Sequence, residues 1–200
     1  FLEYMQKIDK ILIGTHNKGK FIEISDLLPK RIKKISPLDL GISSPVENGK
    51  TFQDNSEIKA NFFCENSNLV TLSDDSGLEV ESLNGEPGIF SSRFAENLGG
   101  FNNAMIKILE KVKKINKSTK AKFISSLTIK WPDGRTISET GIIDGNITDV
   151  KGKNGFGYDP IFMPKGFSKT FAEMNYKEKL KIDHRSIAYK KLYDKIKNYF

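Results

Sequence analysis

Cysteine is almost absent from this chain. Cys64 stands alone among 200 residues, which excludes an intrachain disulfide and a cysteine-based metal cluster and points to a reducing compartment. Histidine is nearly as scarce: with only His16 and His184, zinc lacks ligands, and without a nucleophile elbow a Ser-His-Asp triad has no supporting signal. Uncharged apolar stretches such as residues 11–14 fall far short of the ~20 residues that span a bilayer, so the chain reads as soluble with no membrane role. Arg31, Arg93, Arg135 and Arg185 are the only arginines among 32 basic residues. Nucleic-acid readers lean on the arginine fork, so the net charge of +7 reads as lysines spread over a surface, with no nucleic-acid partner. Sixteen glycines and seven prolines without a period exclude collagen-like and low-complexity chains. No signal-peptide pattern opens the sequence, so a cytoplasmic location is expected, with Met5 a candidate natural start.

What is present suffices for one packed domain over residues 1–200, with room for two lobes: 38% of residues are hydrophobic and 28% charged. Residues 10–15 read as a short buried strand, followed by a helix over 18–28 that Asn17 caps and Pro29 closes. Thr51 and Asp54 have the spacing of a capping box for a helix over 52–66, with Phe52, Ile58, Phe62 and Phe63 roughly on one face. Strands are expected at 69–72 and 78–83, separated by Ser73, Asp74, Asp75, Ser76 and Gly77. Ala104, Met105, Ile108, Leu109, Val112 and Ile115 recur at helical spacing in a helix beginning at Asn102. Segments 122–130 and 136–143 alternate like a hairpin across Pro132, Asp133 and Gly134. Two C-terminal helical patterns come next, one opened by Thr170 with Glu173 as a capping box, the other over 183–199. Strands, helices and hairpins in this order imply an α/β domain with a mixed sheet.

Four constellations could carry chemistry. Thr15, His16, Asn17, Lys18, Gly19 and Lys20 join a strand to a helix N-terminus, either as a plain capped turn or as a seat for phosphate on free backbone N–H groups. Asp74 and Asp75 form either a turn or a place where one carboxylate holds a hard divalent cation completed by substrate oxygens; Glu47, in a separate loop, is either a second carboxylate for it or a solvated loop charge. Phe156, between Gly155 and Gly157, either fills a core or offers its face to a base. Lys179, Lys181, His184 and Arg185 crowd the start of the last helix. There they oppose the positive dipole end unless an anion is bound, the alternative being a solvated basic face.

These residues resemble, in five blocks in order along nearly the whole chain, the inosine triphosphate pyrophosphatase family. The blocks are Thr15, Asn17, Lys20 and Glu23; Thr51, Phe52, Asn55, Lys59 and Ala60; the run 73–79 continuing through Asn84, Gly85, Pro87, residues 88–91 and Arg93; the run 155–160; and Glu178, Lys179, Ile182, His184 and Arg185. The resemblance implies an elongated mixed β-sheet with flanking helices, two lobes around a central cleft, and a homodimer. It implies hydrolysis of ITP, dITP and XTP, all purine nucleoside triphosphates, between the α and β phosphates with Mg2+ as cofactor. Carried onto this chain, Glu47 and Asp75 serve the metal, Asp75 is the base for water, and Ser76 lies beside it. Residues 15–20 and Lys59 contact the phosphate chain. Phe156, Gly157, Tyr158, Asp159, Lys179, His184 and Arg185 hold the nucleoside, Arg185 as a candidate donor to the purine O6. Ser56, Phe90 and Asp183 depart from the family's usual alanine, tyrosine and serine.

Overall fold

The computed structural model describes residues 7–200, so Met5 lies outside the described residues. The chain alternates as expected for an α/β protein. Strand β1 (Lys10–Gly14) leads to helix α1 (Lys18–Leu27), the short β2 (Lys33–Ile35), α2 (Phe52–Ser67) and β3 (Thr71–Val80). Helices α3 (Ser91–Asn97) and α4 (Phe101–Ile115) precede β4 (Lys120–Lys130), β5 (Thr136–Ile147) and β6 (Phe162–Pro164), and α5 (Tyr176–Leu180) and α6 (His184–Ile196) close the chain. The six strands form one sheet in the order β2-β1-β3-β4-β5-β6. β1 pairs in parallel with β2 and with β3, placing Leu12 opposite Thr71, while β5 and β6 are antiparallel. No described helix is long and apolar enough to cross a membrane.

Two expectations about where elements begin and end are corrected. Residues 73–77 are not a link between two strands; β3 runs unbroken through them. Nearly every position of β3 is buried, and a strand covered on both faces carries no alternation to announce it. Thr170 and Glu173 do exchange capping-box hydrogen bonds, but residues 170–173 form a turn. The helix begins at Tyr176 behind a second box made by Asn175 and Glu178. A capping box satisfies a tight turn as well as a helix start, so the motif alone does not guarantee a helix behind it.

The chain divides into two compact units, the first comprising the chain up to Asp75, Ser126–Gly141 and Arg185–Phe200, the second Ser76–Ser125 and Ile142–His184. Each has its own apolar core. In the first, Ile11, Ile13, Ile24, Leu72, Leu127 and Ile129 pack with Leu192 and Ile196 of α6. In the second, Ala104, Met105, Ile108 and Val112 turn one stripe of α4 onto Leu78, Val80, Phe123 and Phe162, at the spacing the sequence shows.

Helix α2 departs from that simple rule. Its capping box is formed by Thr51 and Asp54, but the buried stripe is Phe52, Asn55, Ser56, Lys59, Ala60 and Phe63, while Ile58 and Phe62 remain partly exposed. Three polar residues therefore lie on the inward face. An unpaired buried polar group costs about 1–3 kcal/mol, so each of the three is placed by specific partners. Ser56 donates to the Gln53 carbonyl and shares a 2.6 Å hydrogen bond with Thr128 of β4.

Candidate active site

In the first unit, Asn17 caps α1: its side-chain oxygen accepts from the Lys20 N–H at 3.0 Å. The loop in front is held by its own polar groups, with the Asn17 N–H donating to the Thr15 hydroxyl at 3.1 Å. His16 reaches the Ser44 hydroxyl through Nδ1 at 2.7 Å and lies 3.0 Å from the Ile42 carbonyl through Nε2. Lys18 is exposed and Gly19 half-buried, leaving the first turn open to solvent, while Lys20 turns inward to Asp74 at 2.9 Å. Since no acidic residue occupies the first turn of α1, an approaching anion meets backbone N–H groups and the positive end of the dipole.

Successive residues of a strand point to opposite faces, and β3 uses this to separate its two aspartates. Asp74, fully buried, meets Lys20 and the Arg185 guanidinium, the latter at 3.3 Å. Asp75 meets α2 instead: the Lys59 ammonium donates to Oδ1 at 2.9 Å and the Asn55 amide to Oδ2 at 3.2 Å. Lys59 also reaches Glu47 at 3.0 Å, so carboxylates from a loop and from the sheet converge on one positive group. Burial alone would lower the Lys59 pKa, but Asp75, Glu47 and Asp74 outweigh it and hold the ammonium above its ordinary value. Burial pushes the Asp75 carboxyl up, and the nearby Glu47 charge adds to that, against the opposing pull of Lys59 and Lys20. Asp75 is thus a better proton acceptor than an exposed aspartate.

In the second unit, Asp159 organises the turn around Phe156 and holds Lys179 of α5. Its Oδ2 accepts from the Phe156 N–H at 2.9 Å and from the Lys179 ammonium at 2.6 Å. The same ammonium lies 4.7 Å from the centre of the half-buried Phe156 ring. Gly155 has φ +75°, and a Cβ there would lie 2.1 Å from Asp159 Oδ2, so this turn requires glycine both for its backbone conformation and for space. Gly157 continues the turn, half-buried. Tyr158 belongs to the unit's core: its hydroxyl donates to the Ser91 carbonyl at 2.8 Å, its ring meets Phe101 edge-on, and burial drives the phenol pKa far above its ordinary value. His184 is buried and stacks on Phe123, with ring centroids 4.7 Å apart. Ser76 follows Asp75 on β3, partly exposed.

The basic cluster before α6 finds its anions within the chain. Lys179 has Asp159, and Arg185, 1% exposed, has Glu23 of α1 and Asp74. Two of the four basic groups are thereby neutralised by buried carboxylates, and Lys181 is exposed. Arg185 lies in the first unit, its guanidinium spanning two carboxylates. The sequence alone assigns no site role to Asn55 or Glu23, although both fall within the family-like blocks. The one local signal for Asn55 is a run of polar residues at the i, i+1, i+4 spacing of a buried stripe.

Among the described residues, no group of three or more histidine, cysteine, aspartate or glutamate side chains is placed to hold a metal ion. The Glu47 and Asp75 pair fits instead a hard cation that takes one or two protein carboxylates and completes its shell with other oxygens. The Lys59 ammonium between them marks the place where both already focus on a positive charge.

Known proteins resemble this chain in both sequence and fold. The chain is 41% identical to the dITP/XTP pyrophosphatase of Zymomonas mobilis, covering 92% of this chain and 90% of that one. It is 40% identical to that of Christiangramia forsetii, over 92% and 96% of the two chains. Among solved structures, a HAM1 protein from Coxiella burnetii superposes with a TM-score of 0.84 at 32% identity, covering 94% of this chain and 98% of that one. The Ham1 protein of Staphylococcus aureus does so with 0.81 at 32% identity, over 96% and 100%. The family model described as the Ham1 family matches residues 11–195, a span that takes in every site residue from Thr15 to Arg185, and the chain belongs to that family.

Proposed function

We propose that the protein hydrolyses nonstandard purine nucleoside triphosphates (ITP, dITP and XTP) to the monophosphate and pyrophosphate, and so cleanses the nucleotide pool. The observation that carries this reading is the convergence of Glu47 and Asp75 on Lys59 in a chain whose relatives bear the dITP/XTP pyrophosphatase name. Water attacks the α phosphorus, the α–β anhydride bond breaks, and Asp75 takes the proton that the water gives up. The open N-terminus of α1 binds phosphate oxygens, and Lys59 and Lys20 balance the charge that develops on the departing pyrophosphate. Mg2+ fits the carboxylate pair and, when bound by Glu47 and Asp75, supplies Lewis acidity and neutralises phosphate charge. The protein is proposed to act as a homodimer in the cytoplasm. Pyrophosphate release measured over ITP, XTP, dITP, GTP, ATP and dUTP tests the activity. Turnover of the first three should exceed that of ATP by at least about 10²-fold and vanish on chelation of Mg2+. Equal turnover of all six would overturn the base selectivity.

In the second unit, Phe156 stacks on the base while Asp159 and Lys179 fix its ring. Stacking contributes roughly 1–3 kcal/mol per base, so Phe156→Ala should raise the Kd for ITP by about 5- to 150-fold with the melting temperature nearly unchanged. A variant that melts many degrees lower with unaltered affinity would assign the ring to the core.

Asp183 stands immediately before α6 and is fully buried, so by position it is the candidate cap of that helix. Serine and aspartate are about equally good N-caps. Wild-type protein should therefore prefer ITP over GTP by at least about 10²-fold, and Asp183→Ser should change that ratio by less than about tenfold. Comparable turnover of ITP and GTP, restored to ITP preference by the serine variant, would make Asp183 a reader of the base.

A further inference from the structure

Helix α2 presents to β3 a buried asparagine that the proposed chemistry does not use directly. Asn55 is 2% exposed and its amide makes two hydrogen bonds in opposite senses. Its Oδ1 accepts from the Gly49 N–H at 2.8 Å, and its Nδ2 donates to Asp75 Oδ2 at 3.2 Å. The orientation is decided by chemistry: a backbone N–H needs an acceptor, so Oδ1 faces Gly49 and the NH2 group is left for the carboxylate.

Gly49 lies two residues beyond Glu47 in the loop that enters α2. That loop is fastened to the helix start residue by residue. The Lys50 and Thr51 N–H groups both donate to Asp54 Oδ2 at 3.0 Å, and Gly49 donates to Asn55. The approach leaves no room for a side chain: a Cβ on Gly49 would lie 2.6 Å from Asn55 Oδ1 and 2.9 Å from the Asn55 backbone nitrogen. No left-handed conformation is involved, so close approach is the reason for glycine here.

We propose that Asn55 is a positioning residue that sets Glu47 and Asp75 in register with each other, one end of its amide pinning the Glu47 loop through Gly49 and the other orienting the Asp75 carboxylate. Lys59 joins the same two carboxylates by charge, but an ammonium on a flexible stem tolerates many geometries. The short planar amide of a buried Asn55 tolerates few. Fixing Oδ2 from one side leaves the Asp75 carboxylate a defined direction in which to accept a proton. The inference rests on Asp75 being the base.

The test compares Asn55→Asp, Asn55→Ala and Gly49→Ala with wild type and with Asp75→Asn, measuring kcat and KM for dITP, melting temperature, and hydrogen exchange of the Gly49 amide. Asn55→Asp keeps the acceptor for Gly49 but replaces the donor with a second carboxylate oxygen. It should lower kcat by about 10- to 100-fold, the range for losing a hydrogen bond to a charged group, with KM within about threefold and Gly49 still protected. Asn55→Ala should lose both kcat and Gly49 protection. Gly49→Ala adds only a methyl group and leaves Asn55 chemically intact. By displacing the amide it should lower kcat about tenfold, and it decides the question if the Asn55 variants do not fold. Wild-type kcat in Gly49→Ala, or in a folded Asn55→Asp, overturns the proposal while Asp75→Asn remains inactive. If Asp75→Asn itself turns over normally, the reading of Asp75 fails instead, and the positioning role with it.

Discussion

Asp75→Asn is expected to abolish turnover, with a loss of at least about 10³-fold in kcat, while ITP binding measured by calorimetry stays within about tenfold. The substitution keeps the shape and removes the two things the carboxylate supplies, a proton acceptor and a negative ligand for a cation. It also exposes the local hydrogen-bond logic. Asp75 accepts from Lys59 on one oxygen and from Asn55 on the other, so an asparagine must turn its own NH2 toward a donor in either orientation. That mismatch costs about 1–3 kcal/mol, and the melting temperature should fall by about 2–12 °C. A variant that keeps a tenth of the wild-type rate would remove Asp75 from the centre of the mechanism.

Stability should suffer most from a change at Arg185. Its guanidinium is buried and joins Glu23 of α1 to Asp74 of β3, one nitrogen to each carboxylate. Arg185→Met fills the volume but leaves Glu23 and Asp74 buried without that cation. Breaking a buried pair from one side costs about 3–5 kcal/mol, against a net contribution near zero for the intact pair compared with apolar residues. For a chain of this length that corresponds to a fall in melting temperature of about 6–20 °C. Arg185→Lys should recover only part of it, because a single ammonium on a flexible stem does not reproduce the planar fork that meets both carboxylates. A melting temperature unchanged to within about 2 °C in Arg185→Met would show that the three side chains contribute little to the folded state, and would return Arg185 to the role of a base reader. Paired with the ITP to GTP ratio of the same variants, the measurement separates the two roles.

Local chemistry announced several elements where a few neighbouring residues decide the outcome. The Asn17 cap of α1, the Thr51 and Asp54 box of α2, the buried stripe of α4 and the turn between β4 and β5 all depend on partners within a few positions, so their spacing survives in the sequence. The three-residue strands β2 and β6 have no such spacing. Lys33–Ile35 carries two lysines and pairs through its backbone with β1, a hydrogen-bonding pattern with which any side chain is compatible. Thr170 and Glu173 show the opposite failure, a genuine local motif with no helix directly behind it.

The class of fold, the lack of a second cysteine for an intrachain disulfide, the family resemblance and the cast of charged residues were all legible in the order of amino acids, because composition and local spacing are properties of the chain alone. Which charge meets which was settled by folding. Asp74 and Asp75 are neighbours in sequence, and local spacing alone does not tell their partners apart. Strand geometry turns them to opposite faces, one to Lys20 and Arg185, the other to Lys59 and Asn55. Arg185 and Glu23 lie 162 positions apart, and only the folded core of the first unit makes them partners. The inward face of α2 is likewise polar because Asp75 and Thr128 stand opposite it. In a buried setting a polar side chain is placed by its partner, and a partner distant in sequence leaves no local trace.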